Sequence, residues 1–598
     1  MAPLSRFPAS DDAPPLSRVV SVLPGVLSLA QLVGAVKAHG AQRTIIVSVD
    51  GPWSGGFVHR ERDQVVDGFG EPVLLRGMGL GNWLLPEGYM WGIEPPGPLS
   101  AREIEALVSE LVGPERAALF WREFHDRFIG EDDIARIAAE GMNHVRLPIN
   151  SRLVMDEDGA LQPAGVALID RLIEWCRVHG LWVVLDLHGA PGGQTGTNID
   201  DSPRGVPELF SSSRYLELTV SLWRQLARRY RDETVVAGYD LLNEPLPAEF
   251  DALYRAELVE LYRELTAAIR EVDQSHMIIY EGTHWATNWS IFTEVWDANS
   301  MLSFHKYWSP PDRPSIQRFI DIAQSLGLPI YMGEGGENNL DWIQTAFQLY
   351  EDCNISWCFW PWKKIETLTS PCSVNAPAGW QKVVAYGSTK VGKPGDEEAW
   401  RVLTELNRAV AFSESSYRPE VVRAMLRRAP VRIPSTGFGF RGPGVSYQTT
   451  DAVALPGFRS NDSVTIQEAT GARPSELDFH HTSGEPFPPE HELLVCLRAG
   501  DWVAYDIGLA APGRLDLAVQ LGAGQNGAGR AAHGGQPAPD IIVDDQRAEP
   551  LAIDDEHLIR ATTSSPVAAG RHVVRIVGRA DETLLRWIEV FPSTVVEE

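Results

Sequence analysis

The sequence predicts an α/β fold, a (β/α)8 TIM barrel followed by an all-β, jelly-roll-like sandwich. Three observations carry this expectation. From Val73 to near Val410, eight short β-rich runs alternate with amphipathic helical stretches, the pattern of parallel strands joined by helices. After about Arg428 the helical period stops, and Pro430, Pro434, Gly437, Gly439, Gly442 and Gly444 mark a change of architecture. At 598 residues the chain also exceeds what one hydrophobic core commonly supports, so a barrel-sized domain plus a smaller one fits its length.

Residues 1–56 read as an N-terminal extension. Its apolar run at 19–36 is interrupted by Pro24, Gly25 and Gln31, which argues against a membrane span. As a targeting segment it has Arg6 and Arg18 ahead of it, but Asp11 and Asp12 stand where positive charge belongs, so the sequence leaves both secretion and a cytoplasmic location open. The barrel is expected over 57–412, with strands at 73–80, 144–149, 182–187, 237–242, 277–280, 301–304, 330–333 and 355–360. Between them, Leu216, Val220, Trp223, Ala227 and Tyr230 fall on one face of a helix, as do Leu258, Leu261, Leu265 and Ile269; a last helix lies around Trp400–Leu406. A doubly wound sheet would need a glycine-rich phosphate loop running from its first strand into a helix, and Arg76-Gly77-Met78-Gly79-Leu80-Gly81 leads into none. Residues 413–439 read as a linker and 440–598 as the sandwich, with β-rich runs at 493–497, 502–507, 515–520, 572–577 and 584–591.

A formal charge of −28, from 80 acidic against 52 basic residues, repels phosphate backbones and anionic membranes and suits a neutral ligand. No nucleic-acid partner and no cofactor is expected. The oligomeric state is unknown from sequence. Nineteen Trp supply wide apolar faces that serve cores and sugar rings alike. The five cysteines are too few for a disulfide scaffold; Cys353, Cys358 and Cys372 lie close enough for one bridge, although buried thiols are the better expectation.

In a (β/α)8 barrel the active site lies at the C-terminal ends of the strands. Here those ends carry Arg146 on strand two, Asp186-Leu187-His188-Gly189 on three, Asn243-Glu244-Pro245 on four, His305-Lys306-Tyr307-Trp308 on six, Glu334 on seven and Trp360-Pro361-Trp362 on eight. Singly, a Glu before Pro is commonly a surface loop residue and a strand Arg half of a salt bridge. Chance rarely sets this series in order on six of eight strand ends. Cleaving a glycosidic bond through an oxocarbenium-like transition state needs an acid on the leaving oxygen and a carboxylate at the anomeric carbon. Glu244 and Glu334 face each other across the barrel mouth, where two glutamates can reach the roughly 5–5.5 Å separation of a retaining site. Arg146 near Glu334 would favour its ionised form, burial and the neighbouring anion would keep Glu244 protonated, Tyr307 could donate to Glu334 and Asn243 could hold a sugar hydroxyl.

Through Arg76-Gly77, Gly81-Asn82-Trp83, Val145-Arg146-Leu147-Pro148, Leu187-His188-Gly189, Leu242-Asn243-Glu244-Pro245, His305-x-Tyr307, Gly333-Glu334 and Trp360, the chain over about 57–412 resembles glycoside hydrolase family 5 of clan A. The resemblance implies a retaining O-glycosyl hydrolase with Glu244 as acid/base and Glu334 as nucleophile, surrounded by Arg146, His188, Asn243, His305, Tyr307 and Trp360. The turn from Leu185 to Gln194 looks like that of exo-β-1,3-glucanases and their β-glucosidase relatives, which implies a β-linked glucoside or oligosaccharide as substrate. Gly500–Tyr505, Gly513–Leu517, Ile541–Asp544 and Gly570–Arg575 resemble the strand order of family 6-like carbohydrate-binding modules, although Trp502 and Trp587 alternate with apolar neighbours as core residues do.

Other readings share these residues: an endo-acting β-glucanase, a glycolipid-directed endoglycosidase, or a sugar-binding barrel without chemistry, which the intact glutamate pair argues against. A metal-dependent hydrolase using His188, His284 and His305 lacks any His-x-His or acidic ligand spacing, so no metal is expected. Long segments after strands one and three, including Trp91 and Asp200–Arg204, are placed to wall off one end of the groove, which favours exo action. All the proposed catalytic residues precede Val410, from which the C-terminal region is expected to be dispensable for chemistry.

Overall fold

A computed structural model of the chain describes residues 51–450, 452–469, 477–488, 492–522, 537–553 and 557–593. The apolar run at 19–36 lies outside them. No helix among the described residues is long and apolar enough to cross a membrane.

The barrel closes from eight parallel strands: β1 (Arg76–Gly79), β2 (His144–Asn150), β3 (Trp182–Gly189), β4 (Val236–Asp240), β5 (Met277–Glu281), β6 (Ser300–Lys306), β7 (Ile330–Gly336) and β8 (Ser356–Trp360). β8 returns to β1 with Trp357 opposite Arg76, which completes the ring. Each strand is buried along nearly its whole length, as expected when helices cover the outer face and side chains fill the lumen. Lumen packing leaves no slack. His144 Nε2 lies 2.8 Å from the Tyr331 hydroxyl, and a Cβ at position 77 would sit 2.3 Å from the His144 ring, so β1 carries Gly77 there.

The helices follow from the same period that the sequence displays. Ser213–Tyr230 buries Leu222, Trp223, Leu226, Ala227 and Tyr230, and Ala248–Arg270 buries Leu258, Leu261, Leu265 and Ile269. Capping is local: Asp312 accepts a hydrogen bond from the Ser315 amide at the start of Arg313–Leu326, and Gly327 ends that helix at φ 63°. After β8, a three-stranded sheet of Lys363–Ile365, Cys372–Val374 and Ser416–Tyr417 stands at the barrel mouth. All five cysteines are free thiols, so no bridge joins Cys353, Cys358 and Cys372.

The C-terminal region holds two antiparallel sheets. The larger contains Leu493–Leu497, Leu515–Leu521 and Thr583–Pro592; the smaller is built on Trp502–Leu509, Asp540–Val543 and Gly570–Val577. Alternate residues such as Val495, Val519 and Ile588 of one sheet and Tyr505, Val574 and Ile576 of the other are buried. Residues 413–439 do more than connect: they form a helix, Pro419–Leu426, and a strand, Val431–Pro434, that pairs with Thr583–Pro592.

Polar contacts fasten these sheets to the barrel. The helix Leu340–Asp352, which follows β7, sends Gln348 Nε2 to Asp506 at 3.0 Å and accepts the Phe440 amide on Asp352 at 2.7 Å. Arg459 is fully enclosed: its guanidinium donates to the carbonyls of Thr436, Phe438 and Gly439 and to Asp462, while its backbone amide reaches Asp312 of the barrel at 2.8 Å.

Candidate active site

At the C-terminal end of the barrel, one guanidinium gathers four carboxylates. Arg146 of β2 donates through Nε to Asp240 at 2.9 Å, through Nη1 to Glu334, and through Nη2 to Asn243 at 2.9 Å and Glu281 at 3.1 Å, with Asp186 at 3.2 Å. Burial alone would weaken this cation, but Asp186, Asp240, Glu334 and Glu281 reverse the effect and hold it charged. Beside it, Asp186 lies 2.7 Å from His188 Nδ1, and Asn243 Nδ2 lies 3.3 Å from His188 Nε2. His188 is thereby held from both ring nitrogens, by Asp186 on one side and Asn243 on the other.

Glu244 sits four residues beyond Asp240, the last residue of β4, in a left-handed conformation, φ 44°, a region costing an ordinary side chain about 1–3 kcal/mol. Two contacts hold it there. Its amide donates to Glu281 Oε2 at 2.6 Å, and Gln194 donates to the carbonyls of His188 and Asn243 at 2.7 and 3.0 Å, tying the ends of β3 and β4 together. The twist turns the Glu244 carboxylate to His305, whose Nδ1 lies 2.7 Å from Oε1.

His305 stands between carboxylates, with Glu281 3.0 Å from Nε2 and Glu334 3.6 Å from Nδ1. Burial disfavours its cation, yet Glu281, Glu334 and Glu244 together raise its pKa well above the ordinary range. The two glutamates respond in opposite directions. Burial, outweighing the opposing pull of His305 and reinforced by the charges of Glu334 and Glu281, raises Glu244. For Glu334 burial is overcome by His305 and Arg146, which lower it, and the Tyr307 hydroxyl donates to its other oxygen at 2.8 Å. Oxygens of the two carboxylates lie within 4.8 Å of each other.

Above the pair opens a cavity of about 800 Å³. Trp360 forms one side, stacked on His188 with ring centroids 5.4 Å apart and donating through Nε1 to the Tyr89 hydroxyl at 3.0 Å. Gly79 and Gly81 make room for it, since a Cβ at either would lie 2.5 Å from its ring. The segment after β1 adds Glu87, Tyr89 and Trp91 to the wall, and the segment after β3 adds Asn198 and Ile199. Trp91 is locked by a 2.6 Å bond to Asn82 and by Phe120, Phe124 and Trp380 around it. Glu87 is buried, and that burial together with Glu334, Glu337 and Glu244 raises its pKa well above the ordinary carboxylate range. The C-terminal region also reaches the cavity, through Thr482 and Ser483.

The fold thus brings Arg146, His188, Asn243, Glu244, His305, Tyr307, Glu334 and Trp360 to one place. His284 lies apart, 3.2 Å from Asp251. Asp186, His188 and Glu334, and also Glu244, His305 and Glu334, converge closely enough to hold a cation, but their donor atoms already serve one another and Arg146. Sequence reasoning assigned no role to Glu281, Asp240 or Glu87. Glu281 had a readable signal, an acidic residue ending β5, a strand end left empty in the sequence reading; Asp240 ends β4 but reads as one polar residue within the longer apolar run 235–242.

Residues 113–365 match the cellulase family, glycosyl hydrolase family 5. A protein named beta-xylosidase from Phanerodontia chrysosporium is 29% identical over 341 residues, covering 50% of this chain and 70% of that one. A probable glucan 1,3-beta-glucosidase A from Emericella nidulans is 31% identical over 42% of this chain and 62% of its own length. Endoglucanase C from Acetivibrio thermocellus is 31% identical over 32% of this chain and 53% of its own length. Over 113–365 the barrel is thus similar to glycosyl hydrolase family 5, and the family match together with the glycosidase-named relatives supports the enzyme class of a glycosyl hydrolase.

Proposed function

We propose that the chain is a retaining β-glycosidase that releases one β-linked sugar, glucose, from the end of a β-glucoside or short β-glucan. The observation that carries this reading is the opposite displacement of two glutamates whose oxygens lie within 4.8 Å: Glu244 raised and Glu334 lowered. The two directions favour a proton on Glu244 and an ionised Glu334, as double displacement requires. Glu334 attacks the anomeric carbon while Glu244 protonates the departing oxygen; Glu244 then takes a proton from water, and that water releases the sugar from Glu334. Arg146 and Tyr307 hold the attacking carboxylate in line. His188, Asn243 and Trp360 surround the sugar, Trp360 offering its indole face to the ring.

Exo action is supported by the wall that Glu87, Tyr89 and Trp91 raise at one end of the cavity, and by likeness to a protein named as a glucan 1,3-beta-glucosidase. The C-terminal sheets, whose strand order resembles family 6-like carbohydrate-binding modules, serve in this reading first as a support for the barrel. Trp502 and Trp587 each have an arginine over the ring, Arg575 at 4.3 Å and Arg432 at 4.1 Å, which covers one face of each indole. The test is stereochemical: proton NMR of an aryl β-glucoside digest should show the β-anomer first, and Glu334→Gln should abolish turnover. Initial release of the α-anomer would overturn the roles of both glutamates. Mixed oligosaccharides as the earliest products from a β-glucan would overturn exo action alone.

A further inference from the structure

We infer that residues 478–484 of the C-terminal region, together with Trp308 of the barrel, form the subsite that receives the leaving group. The inference rests on the exo reading in one respect, that the group expelled lies toward the mouth. In the exo reading the terminal sugar lies among the buried polar residues around Glu334 and Glu244, and what departs lies where the cavity meets solvent. There the side chains change character: Trp308 is 48% exposed and Leu368 55%, and Thr482 and Ser483 stand in the same wall.

The segment is held in place from both sides. On the barrel, Asn338 Nδ2 donates to the Phe479 carbonyl at 2.7 Å and Asn339 Nδ2 to the Glu485 carbonyl at 3.1 Å. Both asparagines follow Glu334 by only a few residues, so the loop is fixed to the chain that carries the nucleophile. Within the C-terminal region, Phe479 packs against Phe458 and Phe487 at 5.4 and 5.9 Å. Two local turns shape the tip: the His480 amide bonds to Asp478 Oδ1 at 2.8 Å and the Gly484 amide to the His481 carbonyl at 3.0 Å. His480 then meets Trp308 edge-on, 4.7 Å between ring centroids and 80° between planes.

This T-shaped contact steadies the indole while Trp308 stays 48% exposed, and Trp308 Nε1 is anchored by the Glu337 carbonyl at 3.3 Å. The ligand chemistry that matches is a flat apolar face, the C–H face of a second sugar or an aryl ring, edged by hydroxyls that Thr482 and Ser483 can reach. These sheets therefore select substrate as well as support the barrel.

The test is the triple variant His480→Ala, Thr482→Ala, Ser483→Ala, made at exposed positions so that the fold persists, with thermal melting as the check. kcat/KM is measured for methyl β-glucoside, 4-nitrophenyl β-glucoside and laminaribiose. The expected result is that the ratio of the larger substrates to methyl β-glucoside falls about tenfold, carried by KM. A fall for the aryl substrate alone identifies an aryl leaving group, and a fall for laminaribiose a sugar. Ratios that stay constant, in a variant that melts like the wild type, overturn the subsite. If the wild type cuts β-glucans internally, exo action fails by itself; the variant must then shift the cut position on a hexasaccharide, and an unchanged pattern overturns the inference.

Discussion

Replacing Tyr307 by Phe removes a single hydrogen bond from the proposed nucleophile and leaves the rest of its shell intact. The phenol donates to Glu334 Oε2 at 2.8 Å in a buried site, while Arg146 continues to hold Oε1. A hydrogen bond to a charged group contributes about 1.5–3 kcal/mol, and about 1.36 kcal/mol corresponds to one pKa unit, which brackets the effect at about 1–2 units. His305 and Arg146 are the larger influences holding Glu334 low, so the lower end, about 1 unit, is expected. The sign follows from which form the bond favours. Glu334 reacts ionised, and activity is lost as pH falls through its depressed pKa; removing a donor that stabilises the anion raises that pKa. The acid limb of kcat/KM against pH, measured with an aryl β-glucoside, should therefore move to higher pH, with thermal melting confirming the fold. An acid limb that stays in place or moves to lower pH would refute the reasoning.

The alkaline limb should belong to Glu244, whose raised pKa keeps it protonated until pH climbs through it. Glu244→Ala should remove that limb, slow poor leaving groups most and recover turnover of activated substrates with added azide; uniform loss without recovery would count against the assignment. Gly81→Ala puts a methyl 2.5 Å from the Trp360 ring, and overpacking of about 1–3 kcal/mol should lower kcat/KM roughly 5- to 150-fold by displacing the indole from His188; unchanged kinetics would show that Trp360 can move freely. Arg459→Met leaves Asp462 and three carbonyls without their donor, so urea unfolding should show a loss of about 3–5 kcal/mol, and a loss under about 1 kcal/mol would remove the Arg459 side chain as what holds 436–439 and Asp462 together.

What the sequence made legible follows a physical rule. Costly side chains at the ends of apolar strands have few structural reasons to be there, so Arg146, His188, Glu244, His305 and Glu334 could be found one strand at a time. Glu281 obeys the same rule at the end of β5 but lies outside any local motif that would single it out. Asp240 pairs with Arg146, a partner far away in the chain, and reads locally as one polar residue in an apolar run. The wall formed by Thr482 and Ser483 was illegible for a different reason: Asp478–Pro486 reads as a polar turn, and its position depends on Asn338 and Asn339, whose sequence reports nothing about what they will hold. The strand Val431–Pro434 was hidden because Pro430 and Pro434 frame it with the signals of a connection.

The four carboxylates around Arg146 also bear on how the chain folds. They come from β3, β4, β5 and β7, so this cation is neutralised only when strands far apart in sequence have met in register. A half-assembled barrel holds either a stranded guanidinium or an excess of buried anions, and each missing partner costs several kcal/mol. Ring closure and assembly of the reactive pair are therefore one cooperative event, dominated by long-range contacts that form late and slowly. During refolding, recovery of activity should follow the final closure of the ring, since partial sheets cannot bring the cation and its four anions together.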